Sequence, residues 1–132
     1  MLGLFKKSKV IIPGELLSII EKMHVAVRNM NYEALRPLYS SNSTITDITE
    51  NNSESRTLDE AIKFLQSSVE GVESRTTNFK FIGFTEGPPA TVKIKYSENL
   101  NFENGETINI KYIETIEFNS SNKIELVTCV YK

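Results

Sequence analysis

One cysteine, one histidine and no tryptophan occur in this chain, and each scarcity removes a class of explanation. Cys129 cannot close an intrachain disulfide, so no covalent staple holds the fold, in keeping with a reducing, cytoplasmic setting. With His24 as the sole histidine, no Cys/His ligand set and no nucleophile–His–acid set can be assembled, and no metal or cofactor is expected. No apolar run approaches the roughly 18 residues of a membrane span. A clustered basic surface is also missing: 15 Lys and Arg stand against 17 Asp and Glu, a formal charge of −2. Nucleic acid is therefore not an expected partner. At the start, Lys6, Lys7 and Lys9 lie between Leu2-Gly3-Leu4-Phe5 and Val10-Ile11-Ile12. A secretory signal runs in the opposite order, charges first, so residues 1–13 read as a frayed or docked N-terminal arm.

What remains is ordinary for one soluble globular domain: 132 residues, 39% apolar and 24% charged, enough for a real core. After Pro13-Gly14, Leu16, Ile20, Met23, Val27 and Met30 recur in steps of four and three, the stripe of an amphipathic helix. Tyr32 to Ser40 reads as a second, shorter helix, kinked or confined by Pro37. A short strand follows at Ser43 to Thr49, then a polar, turn-like stretch at Asn51 to Ser55. Thr57-Leu58-Asp59-Glu60 has the form of a capping box and opens a third helix, ending near Gly71. From Thr76 the apolar period changes to two. Strands are predicted at Thr77 to Thr85, Thr91 to Asn101, Glu106 to Asn119 and Lys123 to Lys132. Gly87-Pro88-Pro89, Asn104-Gly105 and Ser120-Ser121-Asn122 form the turns between them. The expected fold class is α+β: a curved antiparallel sheet wrapped around about three N-terminal helices, as one domain over residues 14–132.

This order of elements resembles the nuclear transport factor 2-like superfamily, which includes the ketosteroid isomerases and the SnoaL-like polyketide cyclases. The local marks are Asn31-Tyr32-Glu33-Ala34-Leu35 leading to Leu38-Tyr39, Ser43-Thr44-Ile45-Thr46-Asp47, Ala61-Ile62, and Ile116-Glu117-Phe118 before Asn122-Lys123-Ile124. The resemblance implies a cone with a pocket at its open end and, often, a homodimer through the sheet. The superfamily hosts isomerases, cyclases, dehydratases and adaptors, so fold alone does not fix function.

Two carboxylates are the candidate catalytic residues. Alternation places Ile45, Asp47 and Thr49 on one strand face, and the resemblance sets Asp47 where the isomerases keep a general base. Burial in an apolar pocket would make it a better proton acceptor near neutral pH; an ordinary rim aspartate is the bland alternative. Glu114 interrupts the series Ile108, Ile110, Tyr112, Ile116, Phe118, where a carboxylate is costly unless paired, hydrogen-bonded or protonated. The resemblance matches it to the protonated acid that donates to an oxyanion in the isomerases; a solvated face or a local lysine partner is the alternative. Tyr96, in register with Val92 and Ile94, and Tyr112 are candidate ligand contacts, or core residues with satisfied hydroxyls. His24, on the flank of the first-helix stripe, and Met23, within it, complete the candidate ligand-binding set. The sequence departs from the isomerases in two places: Met23 stands where they carry a carbonyl-polarising tyrosine, and Ile48 replaces the proline that often follows the aspartate. A thioether cannot donate that hydrogen bond.

Two functional expectations follow. One is a domain that binds a small apolar or carbonyl-containing molecule, with acid–base activity of the isomerase or cyclase kind. The alternative is a non-catalytic dimerisation or adaptor module, suggested by strands apolar on both faces: Phe79 and Phe81 against Ile82 and Phe84, and Ile124 and Leu126 against Val127 and Tyr131.

Overall fold

A computed structural model describes residues 10–132; most of the predicted N-terminal arm lies outside the described residues. Helix α1 (Gly14–Arg28) leads into a 3-10 helix (Tyr32–Leu38) and the hairpin β1 (Tyr39–Thr49) and β2 (Asn52–Thr57). Helix α2 (Leu58–Ser68) follows, then a meander of β3 (Val72–Thr85), β4 (Ala90–Phe102), β5 (Thr107–Phe118) and β6 (Ile124–Tyr131). The six strands form one unclosed, curved sheet in the order β2-β1-β6-β5-β4-β3. Every pairing is antiparallel except that of β1 with β6, which is parallel.

The helices are fixed by the signals that predicted them. Leu16, Ile20 and Met23 are buried as the stripe requires, with Ala26 beside them; Val27 and Met30 pack at the margin of the core. The capping box is complete: the Glu60 backbone N–H donates to Thr57 Oγ1 at 3.2 Å, and the Thr57 N–H donates to the Glu60 carboxylate at 2.9 Å. Gly71, at φ +78°, turns the chain from α2 into β3, a backbone region that suits glycine. At the β4–β5 turn the Gly105 N–H donates to the Phe102 carbonyl, and Gly105 likewise has positive φ, +91°.

Several boundaries differ from expectation. The second helix is a short 3-10 turn ending at Leu38, where Pro37 lacks the N–H needed to continue. The following strand therefore starts at Tyr39, not Ser43. The polar stretch read as a turn over Asn51 to Ser55 is mostly strand β2, an exposed edge with no apolar alternation to reveal it. Strand β3 begins at Val72, five residues before the predicted start.

Two bulges revise the picture of a sheet apolar on both faces. At β3 the register passes from Phe81↔Ile94 to Gly83↔Lys93, so Ile82 is the extra residue, and both Phe81 and Phe84 pack on the core. At β6 it passes from Phe118↔Ile124 to Glu117↔Leu126, which buries both Ile124 and Val127. An inserted residue breaks strict alternation, and period-two counting across it puts side chains on the wrong face. The outer face keeps one apolar rung, Ile48–Val130–Ile113.

Candidate functional site

Cross-strand partners share a face, so the inner surface of the sheet can be followed rung by rung. The innermost rung, Ile45–Val127–Ile116–Val92–Phe84, is apolar. The next is Asp47–Cys129–Glu114–Ile94–Phe81, which sets both candidate carboxylates on either side of the one cysteine. Then come four aromatic rings, Tyr131–Tyr112–Tyr96–Phe79, followed by Ile110–Glu98–Thr77. Helices α1 and α2 and the 3-10 helix lie over this surface. Between them and the sheet is a chamber of about 200 Å³.

All six predicted side chains line that chamber: Met23, His24, Asp47, Tyr96, Tyr112 and Glu114. Their partners differ. His24 Nε2 lies 2.7 Å from the Tyr96 hydroxyl, which donates to Glu114 Oε1 at 2.9 Å. The Cys129 thiol approaches Glu114 Oε2 at 3.7 Å. A tyrosine has one proton to give, so with Tyr96 donating to Glu114 the neutral His24 must carry its own proton on Nε2. Burial holds His24 neutral, lowering it to about 4; the Glu98 carboxylate opposes that shift and the Arg28 guanidinium adds to it. Withdrawal from water pushes the Glu114 carboxyl up to about 7, against the hydrogen bonds from Tyr96 and Cys129. The hydroxyl of Tyr96 and the thiol of Cys129 are pushed well up by burial and then by the Glu114 charge, so both stay protonated donors.

Asp47 is held by two partners. Arg56 Nη1 donates to its Oδ2 at 2.7 Å and the Tyr131 hydroxyl to its Oδ1 at 3.2 Å. Arg56 also pairs with Glu54 and lies 3.8 Å over the Phe64 ring. Tyr112 donates to Glu98 Oε2 at 2.8 Å, not to Glu114. Glu98 is buried at 3% exposure and is fully partnered, taking Arg75 Nε at 2.7 Å and Thr77 Oγ1 at 3.0 Å on its other oxygen. Arg75 also donates to the Tyr32 hydroxyl. Met23 is buried, and the Tyr39 hydroxyl is directed at its sulfur, 3.8 Å away. Among the described residues no lysine stands among the hydrogen-bond or charge partners of Glu114.

Three chamber carboxylates thus have unequal company. Asp47 has Arg56 and Glu98 has Arg75, while among the described residues Glu114 has only neutral donors. That inequality sets Glu114 apart: burial without a neighbouring cation holds its carboxyl above the usual carboxylate range. Among the described residues no group of three His, Cys, Asp or Glu side chains is placed to hold a metal ion.

Sequence reasoning missed Glu98, Arg75, Arg56 and Tyr131. Glu98 was detectable, since Val92, Ile94, Tyr96, Glu98 and Leu100 form an unbroken inward series. Tyr131 was likewise visible in strand β6. Arg75 and Arg56 lay in strand segments that the polar sequence concealed.

A curved, unclosed sheet of six strands holding its helices against the inner face is the α+β cone expected from the order of elements. The chain has the nuclear transport factor 2-like fold. AusH from Aspergillus nidulans superposes with a TM-score of 0.75 at 12% identity, over 92% of this chain and 86% of that one. The SnoaL-like polyketide cyclase candidate of Shewanella denitrificans OS-217 gives 0.66 at 20% identity, over 91% and 92%. A nuclear transport factor 2-like protein of unknown function from Burkholderia pseudomallei K96243 gives 0.67 at 9% identity, over 91% and 92%. Comparison with protein-family models and with curated protein sequences finds no match. At these identities the likeness is one of fold, and chemistry must be argued from the site.

Proposed function

We propose that this protein binds a small, largely apolar molecule bearing a carbonyl oxygen and exchanges protons with it in a cytoplasmic, reducing setting. The observation that carries the reading is Glu114, the chamber carboxylate without a cation, tied through Tyr96 to His24. When protonated it donates a hydrogen bond to a carbonyl oxygen. That favours loss of a proton from the adjacent carbon, with Asp47, on the same rung across the intervening strand β6, as the acceptor. Such acid–base work is of the isomerase and cyclase kind. Met23, Tyr112 and His24 would then shape the wall around the ligand, as the sequence suggested.

The test is solvent-deuterium incorporation at the carbon beside the carbonyl, followed by NMR for a panel of hydrophobic ketones, with thermal shift reporting binding. Ketones should raise the melting temperature, and Asp47→Asn and Glu114→Gln should each slow exchange at least tenfold. A panel with no thermal shift and no exchange above solvent background overturns the proposal.

A second reading, pairing of two copies through the outer sheet face, is supported by one observation. The Ile48–Val130–Ile113 rung lies on that face and Val130 is 42% exposed, whereas neighbouring positions carry Lys93 and Lys95. Light scattering should report a dimer that Val130→Lys dissociates; a monomer at high concentration rules this reading out. Pairing on the outer face leaves the inner chamber free.

A further inference from the structure

The chamber beside Glu114 is small. About 200 Å³ falls below the roughly 300 Å³ at the low end of small-molecule sites, so it accommodates the carbonyl end of a ligand and little more. Beyond it, toward the open end of the sheet, lies a second hollow of about 610 Å³. The two share a wall of Asp47, Arg56, Phe64, Arg75, Glu98, Tyr112 and Tyr131, among others. That wall is a collar made of two ion pairs, each tied to a tyrosine: Arg56–Asp47–Tyr131 and Arg75–Glu98–Tyr112. The Tyr112 and Tyr131 rings pack with centroids 5.1 Å apart, tilted by 35°, and Arg56 reaches helix α2 through Phe64.

The collar charges are paired with one another, so a tail passing them meets no unpaired charge. The outer hollow, by contrast, leaves apolar surface uncovered. Phe64 is 46% and Ile108 44% exposed, and Phe102, Ile110 and Val69 line the hollow with them. Apolar surface that converges on a hollow sharing its wall with the Glu114 chamber is arranged for one elongated occupant.

We infer that the ligand is a long amphipathic molecule: a carbonyl head in the inner chamber at Glu114 and an unbranched apolar tail lying through the collar into the outer hollow. This rests on the proposed carbonyl-binding reading and adds the tail subsite to it.

The experiment is calorimetric binding of straight-chain methyl ketones, from methyl propyl to methyl decyl ketone, to the full chain and two variants. In the unmodified protein, affinity should rise roughly fourfold per added methylene, the fold-change that corresponds to burying one CH₂. Ile108→Trp, which intrudes into the hollow, should make the rise stop at a shorter chain. Ile108→Ser, which removes apolar wall at a half-exposed position, should reduce the gain for long members only. If affinity levels off at the same short chain in all three proteins, the tail subsite is refuted while head binding stands. If no ketone of any length binds, the carbonyl-binding reading falls, and the tail subsite with it.

Discussion

Replacing Glu114 by glutamine should stabilise this protein at alkaline pH and leave it little changed in acid. In the folded chain the Glu114 carboxyl titrates at about 7, against an ordinary value of 4.5. At about 1.4 kcal/mol for each tenfold change, holding the charge inside costs roughly 3 kcal/mol more than holding it in the unfolded chain. The sign follows from proton counting. Below pH 4.5 both states keep the proton and the penalty vanishes. From 4.5 to 7 the unfolded chain ionises first, so stability contributed by this site falls as pH rises. Above 7 the penalty is complete. Glutamine keeps the shape and an acceptor for Tyr96 but cannot accept from Cys129 with its amide nitrogen, a mismatch of about 1 kcal/mol. The net gain expected at pH near 8.5 is therefore about 2 kcal/mol, and water admitted to the chamber would trim it. The assay is urea unfolding of both proteins at several pH values between about 4.5 and 8.5, read as the difference between them. The difference matters because His24, held neutral by burial, bends the curve of the unmodified protein the other way over much of the same range. If the difference stays flat with pH, or if the glutamine variant is the less stable at pH near 8.5, Glu114 is not the perturbed carboxyl described above.

His24→Gln should remove an acid-limb loss of stability, since the folded imidazole titrates at about 4, down from 6.5. That contribution is complete above 6.5 and is lost as pH falls toward 4, so urea unfolding at pH near 5 should show the variant gaining on the unmodified protein. Arg75→Met should cost about 3–5 kcal/mol, because it strands the buried Glu98 carboxylate. The double change Arg75→Met with Glu98→Met should cost less than the single one, and the reverse order would refute the pairing argument. Thr57→Ala, which opens the capping box of α2, should cost about 1 kcal/mol in thermal unfolding.

The order of helices and strands was legible because it rests on periodicity and caps, which are local properties. Leu16, Ile20 and Met23 announce α1, Thr57 and Glu60 announce α2, and Asn104-Gly105 announces a hairpin. What escaped was set by tertiary position. Strand β2 has the composition of a loop because it is an edge, and the bulges at Ile82 and Glu125 moved side chains between faces without a local mark. The chamber residues were found where they broke an apolar series, as Glu114 does. Their partners were not, because pairing Asp47 with Arg56 depends on β2 being a strand at all. The helical contribution of His24 to Tyr96 likewise spans 72 positions, beyond anything a window of sequence can register.

The parallel pairing of β1 with β6 has a kinetic meaning. Asp47 and Tyr131, 84 positions apart, meet only when that pairing closes, and every other neighbour of β6 in the sheet is on its β5 side. The β1–β2 hairpin is therefore stitched to the meander by the element that a ribosome delivers after all the others described. Closing so long a loop is entropically expensive before it is rewarded. During synthesis the chamber should exist as two separate half-walls, and a nascent chain arrested before Ile124 would carry the cysteine's neighbours, Asp47 and Glu114, without bringing them together.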